Sequence, residues 1–333
     1  MKNRLNILGL ILSAMISIVF VSSCTKEETG SDRSYIKFGV AEVNVATKAL
    51  LTNESLLSTT VTVYGVKDNK TKVFNGVTIV KEDDSYNWKP ENPSYEKDWQ
   101  PGSYSFYGYT YSGPSNSCMI EKEGLQITVT QPETFVANDM IDYMLSHAYK
   151  VADGTGYHIV MLYMQHAMAC AEFVVKQQIP EHDIILQSIS LTGIYRSATM
   201  VCEDQANANS GGNNVWKTQI SGSNDVVYSI GFNTKYSQDE PLGTMTILAV
   251  PQQLTQETKL TVVYSVDEDS NQETPRAEYT EVFDLFDYRP YVWESGNKIR
   301  YTLNINTGVE LKAEIVDWIE AGYIEGVILP PKQ

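Results

Sequence analysis

Positive charge is scarce in this chain. Lysine and arginine number 25 against 41 aspartates and glutamates, for a formal net charge of −16. Phosphate recognition needs clustered cations, so this balance argues against a nucleic-acid partner. It suits a protein that must stay soluble at an anionic cell surface. Histidine is sparse too, at His147, His158, His166 and His182, and no HExxH or comparable metal-site spacing occurs. There is no GxSxG elbow and no P-loop. The "GTGY" at 154–157 lacks a third glycine and a strand-to-helix setting. Carboxylates are plentiful, but nothing singles out a glycosidase acid and base. The expectation is a non-enzyme with no cofactor, no metal and no catalytic residue.

Cysteine is limited to Cys24, Cys118, Cys170 and Cys202, with no CxxC. If Cys24 is consumed by a modification, the other three cannot all pair within the chain. A Cys170–Cys202 bridge fits, but buried free thiols are favoured. One pair looks like chemistry, His166 and Cys170 in "MQHAMACAEFV" (164–174). Helical and strand periods both place the two on one face. Two ligands do not make a metal site. The favoured reading is a hydrogen-bonded core histidine beside a small buried hydrophobe.

Long apolar runs are missing beyond the N-terminus, where none approaches the ~18 residues of a membrane helix. The N-terminus itself has Lys2 and Arg4, an apolar run from Leu5 to Phe20, then "VSSC" ending at Cys24. This reads as a signal peptide over 1–23, closed by what resembles a bacterial lipobox. The Cys24 thiol would take a diacylglyceryl group and its freed amine a further acyl chain such as palmitate. Each buried CH₂ contributes roughly 0.8 kcal/mol, so more than one chain anchors stably. The polar "TKEETGSDRS" that follows is a flexible tether, 24–34.

What remains is β in character. "STTVTVYGV" (58–66), "YSFYGYTY" (104–111), "LQITVT" (125–130), "IILQSISLTGI" (184–194), "GTMTILAVP" (243–251), "TKLTVVYSV" (258–266) and "KIRYTLNI" (298–305) concentrate β-branched and aromatic residues. Gly, Pro, Asn and Asp clusters separate them. One helix is expected, over "ANDMIDYMLSHAYK" (137–150), with Asn138 or Asp139 as its cap. A boundary behind it gives two domains, 35–153 and 154–333. In "WQPGSYSFYGYTY" (99–111) Tyr104 and Phe106 share one strand face, and Tyr107, Tyr109 and Tyr111 the other. The favoured reading is a strand with one buried face; the alternative is a glycan-stacking platform.

Taken in order, several segments resemble the fimbrillin-like family of Bacteroidetes, the subunits and anchors of lipoprotein-derived (type V) pili. They are "YIKF" with "VATKAL", "KDWQPGSYSFYGYTYSGP", "ANDMIDYML" followed by "HIVMLYMQHAMACAEFVV", "IILQSISLTGIYRSA" with "VWKTQI", "LAVPQQLTQETKLTVVY", "YVWESGNKIRYTLNI" and "VELKAEIVDWIEAG". In that frame the run from Ile159 to Cys170 looks like the first strand of a second sandwich. The resemblance implies an all-β fold of two tandem transthyretin-like β-sandwich domains after a lipoprotein signal peptide. It implies a surface-exposed, outer-membrane precursor that joins other fimbrial subunits by strand exchange and contributes to adhesion to a host or bacterial surface ligand. The leaving strand would be Tyr35 to Lys48. A trypsin-like cut after Lys48 would release it with the lipid, whereas a cut after Arg33 would leave it attached. The incoming donor would be the C-terminal segment, with Tyr323, Ile324, Val327, Ile328 and Leu329 as its apolar residues and Pro330-Pro331 as a ladder stop. Two alternatives stay open. One is an anchor subunit that keeps its lipid. The other is a monomeric glycan-binding lipoprotein using an exposed Trp99, Tyr107 or Tyr109.

Overall fold

The computed structural model describes residues 35–42, 60–82, 87–112, 118–121, 126–154, 159–178, 183–202, 216–235, 240–267, 277–305 and 309–316. Through the first half run β1 (Lys37–Glu42), β2 (Val61–Lys67), β3 (Thr71–Lys81), β4 (Asn87–Pro90), β5 (Gly102–Ser112), β6 (Cys118–Glu121), β7 (Gln126–Thr130), β8 (Asp142–Ala152) and β9 (Ile159–His166). There follow β10 (Ala169–Gln177), β11 (Asp183–Ile194), β12 (Ser197–Cys202), β13 (Trp216–Ser221), β14 (Val226–Lys235) and β15 (Gly243–Ala249). The last are β16 (Gln252–Gln253), β17 (Lys259–Asp267), β18 (Ala277–Asp284), β19 (Val292–Trp293), β20 (Lys298–Ile305) and β21 (Val309–Val316). The fold is all-β; helix among the described residues is confined to 3-10 turns at Pro93–Tyr95, Ala137–Asp139 and Leu285–Asp287.

The first body is a closed barrel in the order β1-β4-β3-β2-β5-β8-β9. Alternation builds its wall: in β2, Val61 and Val63 are buried while Thr62 and Tyr64 are half-buried. The turn into β3 places Asp68 and Asn69 at φ 50° and 53°. Those residue types tolerate the left-handed pair that a tight hairpin needs. At Gly65 an added Cβ would lie 2.9 Å from Phe74 Cδ2 and 3.1 Å from Phe106 Cδ1. The missing side chain is what lets those two rings close over the barrel core.

The second body faces the sheet β15-β10-β20-β21 against β14-β11-β17-β18. Phe173, Val175, Met245, Ile247, Tyr301 and Leu303 of the first sheet are buried in one cluster with Leu186, Ile189, Leu191, Leu260 and Val262 of the second. A register shift between Leu186 and Ser188 keeps β11 apolar-inward on both sides of the irregularity. A third sheet, β13-β12-β7-β6, completes the fold with the short pair β16-β19.

Two segments differ from the sequence expectation. The helix expected over 137–150 is a 3-10 turn followed by β8. Every residue from Asp142 to Ala148 is buried, because β8 is a wall shared by two cores. Met144 and Ala148 face the barrel interior, and Tyr143 and Leu145 belong to the second cluster. Burial on both faces erases the period-2 signature. Pairing with β5 from Gly102↔Ala152 to Ser112↔Asp142 makes it a strand. The run expected as the opening strand of a second sandwich is likewise two strands. β9 ends at His166 in the barrel, and β10 begins at Ala169 in the second body. Ladders also cross position 153/154 in both directions, since β9 pairs with β1 and β7 with β12.

Candidate functional site

The strand that enters the barrel first is tied to one neighbour along its length and to the other at only two positions. β1 runs parallel to β9 from Lys37↔Ile159 to Glu42↔Met164. On its other edge it meets β4 only at Phe38↔Trp88 and Gly39↔Asn87. Ahead of the strand, the Ile36 amide donates to the Lys97 carbonyl at 2.8 Å. Side chains alternate as a pleated strand requires. Ile36 and Phe38 are buried in the barrel core, and Val40 packs on its rim. The Phe38 ring meets Phe74 edge-on at 5.4 Å and Phe106 at 5.7 Å, geometry favoured by the ring quadrupoles. On the outer face Gly39 lies under Met161; a Cβ added there would sit 2.4 Å from the Met161 Sδ. Burial of Ile36 and Phe38 contributes on the order of 3–6 kcal/mol.

Without β1, the barrel would expose an apolar seat between two strand edges. β9 would then hold to β8 only at Met144↔His166 and Leu145↔Gln165. Both edges would present unpaired amides and carbonyls, which is the chemistry that recruits another strand.

The polar groups buried elsewhere are structural in geometry. His166 Nδ1 lies 2.9 Å from Asp142 Oδ2, with both side chains buried, where β9 leaves the barrel. Cys170 sits on the next strand, and burial pushes its thiol up to about 12, so it stays neutral. Glu172 is buried between Lys298, whose Nζ approaches to 2.6 Å, and the Arg300 Nε. Arg300 lies opposite Glu172 in the β10–β20 ladder, so the triad locks two central strands. The described residues contain no group of three His, Cys, Asp or Glu placed to hold a metal ion.

Of the residues singled out from sequence, Cys24, Arg33, Lys48, Tyr323, Ile324, Val327, Ile328 and Leu329 lie outside the described residues. Of the expected leaving strand, residues 35–42 are described, and they occupy the seat. The glycan-platform residues are placed otherwise than that reading requires. Trp99 and Tyr107 are buried, and Tyr109 packs partly buried against the second core. Tyr107 stacks on His147 at 4.5 Å inside the molecule. Sequence reading missed the parallel β1–β9 pairing and the Asp142 partner of His166. The alternation Ile36, Phe38, Val40 signals a strand at 35–42, but no local pattern names its partner.

A sequence-family model described as fimbrillin-like matches residues 47–318. No curated protein matches. Among solved structures, a candidate cell adhesion protein from Bacteroides uniformis is 13% identical, with a TM-score of 0.54 over 86% of this chain and 99% of that one. Another from Bacteroides ovatus is 14% identical with a TM-score of 0.49, covering 86% and 97%. A fimbrial assembly protein from Parabacteroides distasonis is 12% identical with a TM-score of 0.43, covering 85% and 99%.

Proposed function

Because this chain belongs to the fimbrillin-like family, we propose that it is a structural subunit of surface fimbriae, exported as a lipoprotein and joined to its neighbours by β-strand exchange. A fimbrial or adhesive role follows from the family. The finer reading rests on one observation, that β1 fills an apolar seat between β4 and β9 with so little pairing on the β4 side.

In this reading Cys24 carries the lipid to the outer membrane. Hydrolysis of the Lys48–Ala49 peptide bond then frees the segment that holds both the lipid and β1. The emptied seat takes the C-terminal segment of another copy, and Tyr323, Ile324, Val327, Ile328 and Leu329 supply the apolar residues. The donor of one copy and the seat of the next are different surfaces, so the contact does not close and a filament grows. A cut after Arg33 would leave β1 in place and block this.

Intact-mass analysis of surface filaments tests the processing, and a chain starting at Ala49 is the expected result. Filament subunits that still begin at acylated Cys24 would overturn it and indicate an anchor that keeps its lipid. Deleting 322–333 is expected to abolish polymers; undiminished polymers would remove the donor assignment.

A further inference from the structure

The seat constrains how a donor can lie in it, and the inference rests on the strand-exchange reading above. The two deep positions are those of Ile36 and Phe38; the Val40 position is at the rim. A donor must put two apolar side chains, two residues apart, into the deep positions. The segment "GYIEGVILPP" (322–331) has two faces. One carries Gly322, Ile324, Gly326, Ile328 and Pro330, so any neighbouring pair on it brings a glycine or a proline into a deep position. The other carries Tyr323, Glu325, Val327, Leu329 and Pro331. Every pair there except Val327 with Leu329 brings in a carboxylate, which is costly to bury unpaired, or a proline.

Val327 and Leu329 can enter in two directions. Running with β1, Leu329 takes the Phe38 position, and Pro330 and Pro331 fall at the positions of Gly39 and Val40. Pro330 then removes a ladder donor at the position paired on both sides, where proline is not tolerated, and Pro331 follows on the β9 ladder. Running against β1, Val327 takes the Phe38 position and Leu329 that of Ile36. Both prolines then lie beyond the seat, Glu325 reaches the half-open rim, and Gly326 falls on Gly39. A glycine there leaves Met161 undisturbed. The long ladder to β9 also changes from parallel to antiparallel, the slightly more stable pairing per residue.

We infer that the donor from a second copy of this chain enters the seat antiparallel to β9, opposite in direction to β1, with Gly326 beneath Met161. Exchange thus replaces the six-residue parallel ladder to β9 by an antiparallel one, while the two-residue antiparallel contact with β4 becomes parallel, so on the longer ladder the direction of the swap favours assembly.

Cysteine pairs in full-length protein, assembled into surface filaments and run on non-reducing gels against single-cysteine controls, test this. Ile328→Cys with Ile159→Cys reports exchange in either direction, because position 37 lies opposite Ile159. Ile324→Cys with Tyr163→Cys reports the direction inferred here, because position 41 lies opposite Tyr163. Lys332→Cys with Tyr163→Cys reports the reverse direction. Ladders from the first two pairs and none from the third are expected. A ladder from the first pair without one from the second overturns the direction and leaves strand exchange standing. Filaments with no ladder from the first pair overturn strand exchange into this seat. Should the cysteines impair assembly, Gly326→Val is expected to lower filament yield several-fold and Met161→Ala to restore it. Yield unchanged by Gly326→Val sinks the placement under Met161.

Discussion

Phe38 carries more of the seat than any other side chain of β1. It is fully buried against Phe74 and Phe106, so Phe38→Ala should destabilise the unprocessed chain by about 3–5 kcal/mol. Urea unfolding would show this as a lower midpoint at unchanged slope. A loss below 1 kcal/mol would mean the seat collapses easily. At the other end of the pH scale, burial raises Cys170 from 9.0 to about 12 and Tyr228 and Tyr301 from 10.0 to about 12. Each group ionises in the unfolded chain before the folded one. The neutral form therefore favours the native state fully below pH 9, and that contribution is lost as pH rises from 9 towards 12. Melting temperatures should fall across that window, and Cys170 should alkylate at pH 8 only after unfolding.

At the scale of elements, β9 is the strand to watch. It is held by β1 along its length and by β8 at two positions. It continues through Ala167 and Met168 into β10, which is paired on both sides by β15 and β20. Releasing β1 by cutting at Lys48 should therefore speed amide hydrogen exchange in Ile159–Met164 while β10 stays protected. Equal protection of β9 before and after the cut would show that β1 is not its main support. The strands legible from sequence were those with one wet face or with β-branched runs: β2, β5, β7, β11, β15, β17 and β20 each fall on an expected segment. β8 reads as a helix from sequence because burial on both faces removes the alternation that distinguishes the two. The seat was half legible. Residues 35–48 read as a removable strand from family resemblance, whereas the parallel partner Ile159–Met164 lies more than a hundred residues away, and no local pattern announces it.

The whole molecule binds its two bodies together more tightly than tandem domains joined by a linker. β9 completes the barrel around β1 although it follows position 153, and β7 completes the sheet of β12 although it precedes it. Met140, Ile141, Tyr143 and Leu145 bury in the second core. The buried His166–Asp142 contact sits at the crossing. Fragments made by dividing the chain at 153/154 would each lose a ladder partner and expose apolar surface. Expressed alone, 34–153 and 154–316 should lack a cooperative thermal transition; expressed together, they should associate and recover one. Independent cooperative melting of either fragment would mean the crossing ladders add little. If the fragments depend on each other as expected, tension along the proposed filament meets no independent hinge at position 153/154. Under the proposed strand exchange, load would pass from the barrel through β9 and β10 into the second body, leaving the exchanged strand as the joint that yields first.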